Sequence, residues 1–301
     1  MKAIRKTIAA LGLLLAALPA AAALNIFACE QEWAALAQEL AGDKASVYSA
    51  TTALQDAHRV EARPSLIARV RSADLVICAG AELEVGWLPL LLTQSGNANI
   101  QPGSAGYIEA SQFVAKLEIP KVVDRALGDV HPSGNPHVHL DPRNIARVSD
   151  VLTERLVQLD PANADAYRTR ARSFRERWQA AMSRWEKEAA RLKGVPVVVY
   201  HKDMSYFINW AGMREAGSLE PKPGLPPTPT HLAELVERMK REPAKVVVYS
   251  AYNSPRAAEF LSERTGIPAV MLPFTVGGTD KARDLFGLFD DTIARLLATV
   301  K

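Results

Sequence analysis

Apolar positions along this chain follow two alternating patterns. Short runs of apolar, often β-branched residues recur at Leu24–Ala28, Ala45–Tyr48, Asp74–Ala79, Val195–Tyr200, Lys245–Tyr249 and Ala269–Leu272. These read as strands. Between them, apolar residues recur at helical spacing over Glu32–Ala41, Ser65–Arg71, Trp87–Thr93, Ser205–Trp210, His231–Lys240, Ala257–Thr265 and Asp284–Val300. Ser65, after Pro64, reads as the N-cap of its helix. Nearly pure apolar strands separated by helices predict parallel sheets covered on both faces. Gly217–Thr230, rich in Pro and Gly, reads as a loop.

The middle of the chain differs. From Asn144 to about Leu192 the pattern is helical almost throughout, with a new start at Pro161. Tyr167, Phe174, Trp178, Met182 and Trp185 lie three, four and seven residues apart. The spacing predicts an amphipathic helix of about 30 residues, against a mean of ~11–12. A coiled-coil partner helix is the alternative, but the heptads are few and irregular. The fold class is therefore α/β: a lobe over 24–155, a long linking helix over 156–193, and a second lobe over 194–301. A rigid helical link predicts small lobe tilts rather than a wide closure.

The first residues stand apart from this plan. Lys2, Arg5 and Lys6 precede a mostly apolar stretch, Thr7–Leu18, then Pro19 and a run of small residues, Ala20–Ala23. This is the layout of a secretory signal peptide over 1–23. The apolar run is short of the ~20 residues that a membrane span needs. No Cys follows it directly, so the expectation is a periplasmic protein that is not a lipoprotein. Of 36 basic residues the signal holds three, leaving 33 against 33 acidic ones. The net charge of +3 thus belongs to the signal, and nothing points to nucleic acid as a partner. Cys29 and Cys78 each end a strand-like run. Parallel neighbouring strands would bring those ends together, and an oxidising compartment favours a disulfide. Buried free thiols, or a thiolate pair on a metal, are the other readings.

Export turns attention to the six histidines. His58 lies in a polar loop, QDAHRVEARPS, before a helix, and His201 stands at the end of the strand VPVVVY. Ligands in parallel sheets bind at the C-terminal ends of strands. The stretch HPSGNPHVHLDP holds His131, His137 and His139. His137 and His139 would share a face if extended, and either could be a ligand; His131 reads as a solvated loop residue that could capture metal as an accessory. His231 opens a helix and reads as structural. Asp280, in TVGGTDKARD, reads alone as a helix cap.

Five segments together resemble the periplasmic zinc- and manganese-binding receptors of ABC importers, the TroA/ZnuA type. They are DAHRVEARPS, ADLVICAGAELEVGW, NPHVHLDP, VVVYHKDMSYF and VGGTD. The likeness covers essentially the whole chain after the signal. It implies His58, His137, His201 and Asp280 as metal ligands. Ala57 stands where the family has Pro, Asn135 where it has Asp, and His139 where Trp is frequent. The long His/Asp-rich loop of many zinc-specific members is absent. Only GDVHPSGNPHVH remains.

Three imidazoles and one carboxylate complete a tetrahedral zinc-type shell. Imidazole-rich sites favour Zn2+ over Mn2+, which prefers more oxygen. The resemblance implies a monomeric receptor that delivers Zn2+, or less readily Mn2+, to a membrane permease and its ATPase. A catalytic zinc site keeps an open position, and the chain has no H-E-x-x-H, so an enzyme is not expected. A zinc-dependent hydrolase is the alternative from another class. A metal chaperone or adhesin would share the same site.

Overall fold

The computed structural model describes residues 23–124 and 128–300. The signal read in the first residues lies outside them, except for its last position. Strands β1 (Leu24–Ala28), β2 (Ala45–Ser49), β3 (Leu75–Cys78) and β4 (Tyr107–Glu109) form a parallel sheet in the order β2-β1-β3-β4. Helices α1 (Gln31–Ala41), α2 (Pro64–Arg71) and α3 (Leu88–Ser95) flank it. Two helices follow, α4 (Pro142–Leu159) and α5 (Ala164–Ala189). The second lobe repeats the topology. Its strands β5 (Pro196–Val199), β6 (Arg214–Ser218), β7 (Val246–Ser250) and β8 (Ala269–Leu272) run parallel in the order β6-β5-β7-β8. Helices α6 (Ser205–Trp210), α7 (Pro229–Arg241), α8 (Arg256–Thr265) and α9 (Leu285–Thr299) surround it.

Alternation along the strands explains how each sheet is covered twice. In the first sheet Ile26, Leu75 and Ile77 face one core, while Phe27, Val76 and Cys78 face a second one with α2 and α3 residues. In the second sheet Val197, Val199, Val246 and Val248 face the same shared core, while Val198 and Val247 meet Leu235, Met239 and Leu261. One continuous apolar cluster therefore runs through both lobes. The aromatic stripe of α5 is its spine. Trp178 stacks with Phe174 at 5.2 Å and meets Trp185 edge-on at 5.0 Å, and Phe286 and Phe289 of α9 close the group. The indole of Trp178 donates to the Pro142 carbonyl at 2.9 Å. Aromatic pairs of this kind add about 0.5–1.5 kcal/mol each beyond their buried area.

Several elements differ from their sequence reading, each for a local reason. The break at Asp160 is not one of these, since it falls at the new start read from Pro161, which has no N–H to continue α4. Asp160 then accepts from the Tyr167 hydroxyl at 2.7 Å, fixing the corner. Ser65 is not an N-cap: Pro64 already occupies the first helical position, and Arg63 precedes it without a side-chain cap. Strands β4 and β6 went unread. The first has only three residues, and the second is the half-buried, polar edge sequence REAGS, ending inside the stretch read as loop.

Cys29 directly follows β1 and Cys78 ends β3; these strands are neighbours, and the two residues form a disulfide with a Cα–Cα distance of 4.8 Å. Beside it, Glu30 and Glu84 are both buried, and Glu84 accepts from the Ala79 N–H at 2.8 Å and from that of Gly80. Burial pushes the Glu84 carboxyl up to about 7, and burial together with the charge of Glu84 raises Glu30 well above the usual range.

Candidate metal centre

The C-terminal ends of the two sheets bring three of the expected ligands together. His58 sits on a one-turn helix after β2. Asp56 fixes it there twice, accepting from the His58 backbone N–H at 3.0 Å and from its ring Nδ1 at 2.7 Å. The Trp87 indole donates to the Ala57 carbonyl at 2.9 Å and pins the same turn. His201 stands two residues beyond Val199, the last residue of β5, and its Nδ1 lies 2.7 Å from Glu220 Oε2. His137 comes from the segment before α4. Its backbone N–H donates to Asn135 Oδ1 at 2.9 Å, and the Asn135 amide reaches across to the Lys202 carbonyl at 2.7 Å.

One ligand nitrogen from each of these three histidines lies within 4.8 Å of the other two. Ring centroids are 5.5 Å apart for His58–His137 and 5.7 Å for the two pairs with His201. Carboxylates on Nδ1 of His58 and His201 set the tautomer and leave each Nε2 with a free lone pair. His137 is 2% exposed, and neither ring nitrogen has a hydrogen-bond partner. A buried imidazole without partners costs free energy, unless something else takes its lone pair. Burial, followed by the charges of His58 and His201, pushes the His137 pKa well below 6.5, so it stays neutral. Burial acts the same way on His201, but the bond to Glu220 and the charge of Asp203 outweigh it and leave its pKa raised.

The other expected residues lie elsewhere. His139 is buried, with Nε2 3.0 Å from the Phe274 carbonyl and Nδ1 3.0 Å from Glu32 Oε1. Nε2 is thus hydrogen-bonded, Nδ1 pairs with Glu32 by proximity without hydrogen-bond alignment, and His139 ties α1 of the first lobe to the loop after β8. Burial pushes Glu32 up, but the charge and ring proton of His139 and the Thr275 hydroxyl more than offset it. Asp280 is exposed; its backbone carbonyl accepts from Arg283 Nε at 2.7 Å, and its carboxylate is not among the groups gathered with the three histidines. His131 lies at the rim, with Nε2 3.2 Å from His58 Nε2. His231 is structural, bonded to the Ser218 carbonyl at 2.9 Å. Sequence reasoning missed Asp56, Glu220 and Glu32. Asp56 could have been found as the residue two before His58. Nothing in the sequence marks Glu220, which lies 19 residues from His201.

Residues 26–298 match the family model described as the zinc-uptake complex component A, periplasmic, ZnuA. The chain belongs to this family. It is 23% identical over 270 residues to the metal ABC transporter substrate-binding lipoprotein ScbA of Streptococcus cristatus, covering 87% of this chain and 83% of that one. It is 23% identical over 239 residues to the zinc-binding lipoprotein AdcA of Streptococcus pneumoniae serotype 4, covering 78% and 46%. A ZnuA crystal structure superimposes with a TM-score of 0.77 at 19% identity, over 93% of this chain and all of that one. A Mn-bound periplasmic metal-binding protein from Candidatus Liberibacter asiaticus gives 0.73 at 17%, over 92% and 99%. At such identities the structures establish a shared fold.

This ZnuA-family chain is a substrate-binding protein of a metal ABC transporter, a class that works with a membrane permease and an ATPase. It is not an enzyme, which removes the hydrolase alternative. The expectation of a periplasmic protein that is not a lipoprotein is overturned by the relatives, among them ScbA, AdcA and the manganese ABC transporter substrate-binding lipoprotein scaA of Streptococcus gordonii, all named as lipoproteins. No helix among the described residues is long and apolar enough to cross a membrane.

Proposed function

We propose that this chain captures Zn2+ through Nε2 of His58 and His201 and one ring nitrogen of His137, and hands it to the permease of its transporter. His137 carries this reading: a fully desolvated imidazole with two unpartnered nitrogens, facing two others whose Nδ1 protons are already committed. Neutral imidazoles suit zinc better than manganese, because manganese favours oxygen ligands. Relatives named for manganese, zinc and iron show how widely the cargo varies within the likeness. Asp280, the carboxylate implied by resemblance, would complete the shell only if its loop turned inward. The shared core and the interlobe bonds of Asn135 and His139 favour small lobe tilts on binding.

The test is a competition titration of the metal-free protein with Zn2+ against a fluorescent chelator. One tight site, lost in His201→Ala and selective for Zn2+ over Mn2+, is expected. Tight zinc binding that survives His201→Ala would refute the assignment.

A further inference from the structure

The three gathered histidines leave a tetrahedral ion one ligand short. We propose that His131 supplies it, on a strap of chain, residues 128–134, that crosses the mouth of the site. The proposal rests on the metal-capture reading above and names the ligand which that reading leaves open.

The geometry of His131 and His58 carries the argument. His58 commits its Nδ1 to Asp56, so its Nε2 presents a lone pair. His131 interacts with the Ala81 backbone. Its Nε2 stands 3.2 Å from that of His58, a separation that a proton carried by His131 bridges as a hydrogen bond and that a cation could bridge in its place. Bonds of about 2.0–2.1 Å from Zn2+ to two imidazoles put their nitrogens about 3.3–3.4 Å apart along a tetrahedral edge. The observed separation is close to that edge. His131 also lines one cavity with His137 and His201, but it stands outside the three-nitrogen cluster, so the strap moves inward to complete the shell. Asp280, by contrast, is exposed.

The strap is anchored on both lobes, which makes its ligand more than an incidental surface residue. Glu82 accepts from the Ser133 N–H at 3.1 Å and from the Ser133 hydroxyl at 2.6 Å. Glu82 itself sits at φ +61, after Ala81 at φ +48, in a backbone region that costs a non-glycine residue free energy. On the other lobe, the Asp129 N–H donates to the Pro223 carbonyl at 2.8 Å. The next residue, Gly224, donates to Glu220 Oε2, the same oxygen that lies against His201 Nδ1. A metal held by both His131 and His201 would therefore fasten the strap to both lobes at once.

The experiment compares zinc-loaded wild type with His131→Ala, Asp280→Asn and His201→Ala, by chelator competition and by X-ray absorption at the zinc edge. His131 is half-exposed, so His131→Ala should melt like wild type when metal-free. Four imidazoles around zinc in wild type, three in His131→Ala and four in Asp280→Asn are expected. Affinity should fall about tenfold or more in His131→Ala, at least the loss seen on removing outer-shell partners, and hold in Asp280→Asn. Unchanged affinity in His131→Ala, or a loss of affinity in Asp280→Asn with three imidazoles in wild type, would overturn the strap ligand and leave metal capture intact. Unchanged zinc binding in His201→Ala would overturn metal capture itself.

Discussion

His137 and His139 are two residues apart and both buried, yet their surroundings differ, and the proposed division between a ligand and a structural post has a sharp test in exchanging the damage between them. In His139→Ala, Glu32 stays 1% exposed but loses the imidazole 3.0 Å away, keeping only the Thr275 hydroxyl as a side-chain partner. Removing one partner from a buried pair costs about 3–5 kcal/mol. The Phe274 carbonyl loses its ring partner as well. At roughly 2–4 °C per kcal/mol for a chain of this order, the metal-free protein should melt on the order of 10 °C lower. Its three-histidine site stays whole, and zinc should still bind tightly. His137→Ala reverses the pattern. It removes two buried nitrogens that have no partners, so the metal-free protein should melt near the wild-type temperature, while zinc affinity collapses. The assay pairs calorimetric melting of the metal-free proteins with zinc titration of the same samples. A His139→Ala protein that melts normally but no longer binds zinc would refute the division of labour.

Further expectations follow from the surroundings of the site. In Glu220→Gln the His201 ring loses its anionic partner. Zinc affinity should drop by about tenfold, within the usual range for outer-shell groups; an unchanged constant would show that Glu220 does not support the ligand. His201 has a raised pKa, so protons compete with zinc there as the pH falls from above 6.5, and in Glu220→Gln the acid limb of the affinity profile should move to lower pH. Glu84, raised from 4.5 to about 7, contributes stability that is complete below 4.5 and lost as pH rises through about 7, roughly 3 kcal/mol. Melting temperatures of Glu84→Gln should lack that decline, and a decline as steep as the wild type's would exclude Glu84 as its source. The bond between Cys29 and Cys78, 49 residues apart, closes a loop worth about 4 kcal/mol in chain entropy. A Cys29→Ser, Cys78→Ser double variant should unfold at correspondingly lower denaturant while binding zinc normally.

The strands with apolar runs were legible whether central or at an edge: Leu24–Ala28 in the middle of its sheet and Ala269–Leu272 at the edge of the other match residue for residue. Two edge strands were not legible: Tyr107–Glu109 has only three residues, and REAGS, half-buried, carries no run of apolar residues. The stripe on α5 was readable because Tyr167, Phe174, Trp178 and Trp185 keep helical spacing while facing a single core. Of the site, His58 and His201 could be read as strand-end loop histidines. The choice between His137 and His139 could not be made, since it depends on Phe274 and Glu32, more than a hundred residues away on either side. Asp280 entered through resemblance alone, and its exposed position shows how little a family motif says about where a loop rests.

The continuous core under both lobes has a kinetic consequence. Val197 and Val248 share one apolar cluster with Ile26 and Ile77 through the aromatic spine of α5, so prising the lobes apart would expose that cluster to water. Escape of the cargo then has a cheaper route, in which the rim segments move and the scaffold does not. The lifetime of the loaded state should accordingly follow the opening rate of residues 128–134 rather than the stability of the whole protein. A variant with a weakened Ser133–Glu82 anchor would leak metal quickly from a body that melts as late as before.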